Sequence, residues 1–255
     1  MNAISVFCIR AFHFFMCTIF APALIVNSRL HKKHIRNEPF KDSPLVHLYN
    51  KNLGIYQLYN FIMNFPLGNK VYSVLPLLKG KILQVGSGTG ALNQYLSCYN
   101  KGDYEIYNLD INKESIDYAV RKGIYNSYIH ADICNRTTFE DNTFDMVVFA
   151  RCFHHVRKTN KALTECSRVL KPGGHVVITD VAALSKDFPE TSFMMNSNFD
   201  GLIWRYSVPS FEKHIRKNLP PTLIVKEYKA VRQKCVTNYN LFYPHTDVII
   251  TLEKI

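Results

Sequence analysis

The chain has 255 residues, 47% apolar and 20% charged, an ordinary globular balance with room for one α/β domain and an extension. Its net charge of +11 is uneven: residues 1–80 hold nine of the 31 Lys and Arg but only Glu38 and Asp42 among the 20 acids. A basic excess on an extension, rather than on the domain, argues against a nucleic-acid partner. Seven cysteines (Cys8, Cys17, Cys98, Cys134, Cys152, Cys166 and Cys235) are scattered, odd in number and without a C-x-x-C pair. That pattern argues against a disulfide framework or a metal site and fits a reducing compartment.

Residues 3–26, "AISVFCIRAFHFFMCTIFAPALIV", are mostly apolar, with Arg10 and His13 inside the run. Arg29, Lys32, Lys33 and Arg36 follow, and no acid precedes Glu38. Residues 1–40 are therefore set apart from a domain at 41–255, and three readings stay open for them. The favoured one is a membrane anchor or interfacial helix whose basic flank keeps the domain on the cytoplasmic side. The others are a mitochondrial presequence and a cleaved secretory signal ending near "APA" at 21–23. A soluble cytoplasmic chain is the further alternative.

Ile55, Leu58, Tyr59 and Ile62 recur at helical spacing, so residues 54–63 read as an amphipathic helix ended by Pro66 and Gly68. "VYSVLPLLKG" at 71–80 reads as a short helix or turn. From Lys81 the pattern alternates. Strands are expected at 81–85, 104–110, 126–132, 143–150 and 175–181, and helices at 91–99, 114–123 and 160–170, with "KPGG" at 171–174 a turn before strand five. Strands alternating with helices of this length imply a doubly wound, mostly parallel sheet. Two strand-like runs near the C-terminus, 222–233 and 246–255, have no helix between them and are expected to pair as an antiparallel hairpin, giving seven strands in all.

"QVGSGTGAL" at 84–92 places Gly86, Gly88 and Gly90 between a strand and a helix. No Gly-Lys-Ser/Thr follows, so it is not a nucleoside-triphosphate P-loop. Asp110 ends the second strand 20 residues beyond Gly90, where a carboxylate can accept both hydroxyls of an adenosine ribose. These two features suit a nicotinamide oxidoreductase or a methyltransferase equally.

The residues downstream point one way. Asp132 after strand three, "DNTFDMVVFARCFHHV" and "RVLKPGGHVVITD" follow in order and at the spacing of strands four and five. The series resembles the class I S-adenosylmethionine-dependent methyltransferases with a Rossmann-like fold, in the branch of ubiquinone/menaquinone C-methyltransferases and other small-molecule enzymes. The resemblance covers about residues 79–181. It implies methyl transfer from S-adenosyl-L-methionine to a small-molecule or lipid-like acceptor. It also implies that Gly86, Ser87, Gly88 and Gly90 admit the amino-acid part of the cofactor to the backbone. Asp110 would hold the ribose, with Ile111 and Ile133 beside the adenine and Asp132 accepting from its amino group. Ala150 and Arg151 would line the methionine side. Gln84 stands where the family usually has Asp or Glu, keeping an acceptor but losing its charge. Two alternatives stay open: outside enzymes, a membrane-attached pseudo-methyltransferase serving as an assembly factor, and among enzymes an RNA or protein methyltransferase.

His154 and His155 read chiefly as structural, with a proton-accepting role as the functional alternative. Asp145 is expected to position strand four, and Asp180 is expected at the end of strand five, facing the crevice. Met194, Met195, Phe199 and Trp204, within 182–210, are candidates for an apolar lid. No residue is assigned as the catalytic group.

Overall fold

The computed structural model describes residues 51, 53–54, 75–76, 78–99, 102–183, 208–231 and 245–255. Its elements run β1 (Gly80–Val85), α1 (Ala91–Tyr99), β2 (Tyr104–Asp110), α2 (Lys113–Arg121), β3 (Tyr128–His130), β4 (Phe144–Ala150), α3 (Thr159–Val169), β5 (Leu170–Ala183), α4 (Val208–Lys217), β6 (Leu223–Val231) and β7 (His245–Lys254). The seven strands form one sheet in the order β3-β2-β1-β4-β5-β7-β6. β1 to β5 are mutually parallel. β7 runs antiparallel to both β5 and β6, which makes it the reversed strand and leaves β6 at the edge.

The central strands are apolar on both faces because both are covered. Leu83, Val85, Val147, Phe149, Val176 and Ile178 point into a core closed by Leu163 and Cys166 of α3 and Phe211 and Ile215 of α4. The alternate residues Ile82, Met146, Val148 and Val177 pack on Leu92 and Leu96 of α1. Period-two alternation thus decides which helix each residue meets. Gln84 shares the parity of Ile82 and lies on the α1 side, in register with Asn108 and Val148.

Three expectations need correction. β3 is only three residues long, so Asp132 lies two residues past it rather than ending it. "KPGG" is not a turn before strand five. It belongs to β5, as a bulge between the Phe144–Leu170 and Met146–His175 pairs, with Gly173 at φ +73°. Lys171 Nζ and the Lys81 backbone N–H both donate to Asp145, each at 2.8 Å, and so tie this bulge to the start of β1. That fulfils the positioning role expected of Asp145. Third, β5 continues three residues beyond Asp180, which is therefore inside the strand. Residues 1–40, the helix at 54–63 beyond its first residue, and the lid candidates lie outside the described residues. Among the described residues, no helix is long and apolar enough to cross a membrane.

Candidate functional site

Strand order reverses at β1: the chain moves outward to β2 and β3, then returns to place β4 on the other side of β1. Loops leaving the carboxyl ends of β1 and β4 must diverge at such a point, and the crevice between them is where open α/β sheets take ligands. Every residue proposed above for the cofactor lies on β1, β2 or β4, or in the segments that follow β1 to β4, at this edge of the sheet.

The glycine loop is held from both sides. Gly86 and Ser87 donate their backbone N–H groups to Leu109 O at 2.8 and 3.2 Å, and Gly90 N–H reaches Ser87 O at 3.1 Å. Gly88 N–H donates to Asp110 Oδ2 at 2.6 Å, while Asp110 Oδ1 accepts from Asn112 N–H at 2.8 Å. The three glycines have φ of +66°, +56° and +89°. At Gly86 the reason is close approach as well as conformation: a Cβ there would lie 2.7 Å from both Cβ and Sγ of Cys152. Cys152 comes from the segment after β4, and its thiol donates to Val85 O at 3.0 Å. The two lips of the crevice therefore touch at Gly86 and Cys152.

Asp110 is buried, and burial pushes its carboxyl above the ordinary carboxylate range, against the downward pull of the Asn112 and Gly88 amides. Burial, followed by the charges of Asp180 and Asp110, holds the Cys152 thiol well above its usual value. It is a packing thiol, not a thiolate nucleophile. Gln84 is 3% exposed, and its Oε1 has no hydrogen-bond partner among the described residues. A buried acceptor left open beside a glycine cradle is the kind of group that a ligand's ammonium satisfies.

Ile111 follows β2, and Asp132 and Ile133 lie in the segment after β3. Ile111 O accepts from His130 Nε2 at 3.0 Å, Ile133 is buried, and Asp132 Oδ1 accepts from Cys134 N–H at 2.8 Å. Ala150 closes β4. Arg151 follows in the left-handed region at φ +58°, with its N–H on Thr179 O at 2.8 Å. A non-glycine residue there stores of order 1 kcal/mol of strain, and it turns the chain sharply off the sheet toward Cys152.

Asp180 does not face an open crevice. It is fully buried, with Oδ2 accepting from His154 N–H at 2.8 Å and Oδ1 lying 2.5 Å from His154 Nδ1. His154 and His155 sit in one 3-10 turn, Phe153–His155, their rings 4.3 Å apart. Sequence reasoning also missed the clamp beneath the loop after β3. Glu165 Oε1 accepts from Thr137 N–H at 2.7 Å, Thr137 Oγ1 at 2.6 Å and Arg168 at 2.6 Å. Glu165 and Thr137 are 28 residues apart, so no local spacing signals their contact, whereas Arg168 lies three residues on in α3.

Residues 83–178 match the family model described as a methyltransferase domain. The ubiquinone/menaquinone biosynthesis C-methyltransferase UbiE of Idiomarina loihiensis is 30% identical over 161 residues, 59% of this chain and 63% of that protein. The chain thus spans less than two thirds of the length of such curated relatives. A phosphoethanolamine N-methyltransferase of Haemonchus contortus, solved with S-adenosylhomocysteine, superimposes with a TM-score of 0.58 at 19% identity, over 87% of this chain and 60% of that one. An S-adenosylmethionine-dependent methyltransferase of Aquifex aeolicus gives 0.54 at 21% identity, over 79% and 97%. At these identities the structures speak for the fold alone, and the fold is that of the sheet described above. Residues 83–178 thus carry a methyltransferase domain in the sheet of a class I S-adenosylmethionine-dependent methyltransferase fold, and the chain is similar there to the UbiE-like enzymes.

Proposed function

We propose that this chain transfers a methyl group from S-adenosylmethionine to a small-molecule or lipid-like acceptor. One observation carries the reading: the 2.6 Å hydrogen bond from Gly88 N–H to Asp110. It joins the loop that admits a ligand to the backbone with the carboxylate suited to ribose hydroxyls, at the switch point of the sheet. No lysine stands in the loop to meet a phosphate, which suits a cofactor with a ribose and an adenine but no phosphate.

The residues fit that cofactor. The backbone of Gly86, Ser87, Gly88 and Gly90 would cradle the amino-acid arm, with the open Oε1 of Gln84 available to its ammonium. Asp110 would take the ribose, Ile111 and Ile133 the faces of the adenine, and Asp132 its amino group. Ala150 and Arg151 would border the methionine side through backbone atoms. When bound, the cofactor supplies a methyl group on a sulfonium, open to in-line displacement. The chain then contributes orientation, holding the acceptor within about 3 Å of that methyl. Where the acceptor is a hydroxyl or a carbon acid, a proton must leave with the reaction. His154 stands in the segment after β4, and with Nδ1–H donated to Asp180 its Nε2 is the nitrogen left to accept that proton.

Support for a lipid-like acceptor is separate. It rests on the quinone chemistry in the names of the curated relatives and on the apolar, basic-flanked residues 3–36. On this reading residues 1–40 hold the domain of 41–255 at a membrane surface on its cytoplasmic side.

The test is incubation of the full chain with cell extract, including the lipid fraction, and S-adenosylmethionine labelled in the methyl group. Label in an apolar, solvent-extractable product is expected. Label in RNA or protein would overturn the acceptor class, and no label with intact S-adenosylhomocysteine binding would favour a non-catalytic assembly factor. Binding of NAD in place of S-adenosylhomocysteine would restore the oxidoreductase.

A further inference from the structure

Gly88 is gripped at both ends of its residue. Its N–H goes to Asp110, and its carbonyl accepts from Tyr125 Oη at 2.9 Å, 37 residues away. Tyr125 is 4% exposed. Its ring lies beside the same loop two residues on: a Cβ at Gly90 would stand 3.2 Å from Tyr125 Cε1 and would run into Ile124. The glycine loop is thus seated on Ile124 and Tyr125.

Local sequence explains how these two side chains arrive there. α2 ends at Arg121, with Lys122 as its cap. Gly123 follows at φ +67°, its N–H bonded to Val120 O at 2.9 Å, and Ile124 N–H reaches back to Ala119 O at 2.9 Å. This is the paired 5→2 and 6→1 arrangement of a Schellman end, which needs the left-handed residue that glycine supplies. The reversal directs Ile124 and Tyr125 back over the carboxyl ends of β1 and β2 instead of outward along the helix axis.

On the cofactor reading above, we infer that Tyr125 is a positioning residue for the cofactor: its hydroxyl, through the Gly88 carbonyl, fixes the orientation of the peptide groups that meet the amino-acid arm. The loop carries no side chain large enough to hold itself, so its shape depends on groups from outside it. Asp110 answers for the N–H side and is expected to be engaged by the ribose as well. Tyr125 answers for the carbonyl side and is itself buried. Freed of the hydroxyl, the part-buried Gly88 carbonyl loses that partner, and the Gly88–Thr89 peptide, set between Gly88 and Gly90, is less firmly held.

The experiment compares the full-length chain with Tyr125→Phe, which keeps the ring against Gly90 and removes only the hydroxyl. Binding of S-adenosylhomocysteine and of 5′-methylthioadenosine is measured by calorimetry, with thermal unfolding alongside. The second ligand has the adenine, ribose and sulfur but lacks the amino-acid arm. Loss of one hydrogen bond predicts about three- to tenfold weaker binding of S-adenosylhomocysteine, with 5′-methylthioadenosine changed by less than about twofold. Tyr128→Phe, at an exposed position on β3, should change neither. Unchanged S-adenosylhomocysteine affinity in Tyr125→Phe overturns the inference. So does an equal loss for both ligands accompanied by a lowered unfolding temperature, which is the signature of a merely structural tyrosine. If the unmodified chain binds no S-adenosylhomocysteine, the cofactor reading fails first and this inference with it.

Discussion

Asp110→Asn is the substitution that asks most of this account, because it changes the carboxylate to an amide of the same shape. In the structure each carboxylate oxygen accepts a backbone N–H, from Gly88 at 2.6 Å and from Asn112 at 2.8 Å. An amide offers one acceptor oxygen and one NH₂ group, so whichever way it is turned one backbone N–H faces a donor. Leaving a buried donor unsatisfied costs about 1–3 kcal/mol. The unliganded protein itself should therefore lose about this much stability. For a chain of this size that corresponds to a fall in Tm of roughly 2–12 °C. Affinity for S-adenosylhomocysteine should fall as well, by about tenfold or more, since the ribose loses a charged acceptor and the loop loses its anchor. Thermal unfolding and calorimetry on one preparation measure both. A variant as stable as the parent, with the same affinity, would refute the claim that Asp110 joins the loop to the ribose site.

Four further outcomes are expected. Gly86→Ala should abolish measurable S-adenosylhomocysteine binding, and Cys152→Ala should not rescue it, because the Cβ–Cβ approach of 2.7 Å remains after the sulfur is gone. Affinity for S-adenosylhomocysteine should fall as pH drops through the Asp110 pKa. That pKa is raised by burial, so the fall should begin above the ordinary aspartate range of about 3.9, and Asp110→Asn should flatten the profile, as calorimetry across pH would show. Glu165 behaves in the opposite sense. Burial would raise its pKa, but hydrogen bonds from Arg168 and Thr137 outweigh this and hold it below the ordinary value. Its contribution is therefore complete above the unfolded glutamate pKa and lost as pH falls through the lower folded one. Glu165→Gln should cost about 1–3 kcal/mol in denaturant unfolding at neutral pH and should remove that share of the acid sensitivity. The full-length chain should sediment with anionic vesicles at low ionic strength and be released by salt, and sedimentation indifferent to both would count against residues 1–40 as a membrane attachment.

What the sequence disclosed follows the range of its signals. β1, β2 and β4, and the helices after β1 and β4, were legible within a residue because period-two and period-3.6 patterns are local and both sheet faces are covered. β3 was read too long, since Ala131 and Asp132 continue an apolar-polar alternation after pairing with β2 has stopped at His130. α4 went unread although its signals were present: Pro209 in its first turn, Phe211 and Ile215 on one face, and His214, Arg216 and Lys217 in the last turn. The glycine loop and Asp110 were legible as a pair of features. Their contact across 22 residues was not, nor was the seating of the loop on Tyr125 and Cys152. Those contacts arise from sheet order and from the turn after α2, and no spacing rule encodes them. Asp180 was placed in the crevice because strand five appeared to end there. The longer β5 and the bond to His154 put it in the core instead.

The measurement that bears most directly on the central claim is calorimetric titration of the full-length chain with S-adenosylhomocysteine and, separately, with NAD. The account predicts saturable binding of S-adenosylhomocysteine that is lost in Gly86→Ala and weakened in Asp110→Asn, and no heat from NAD. Saturable NAD binding without S-adenosylhomocysteine binding, or S-adenosylhomocysteine binding indifferent to both substitutions, would contradict it.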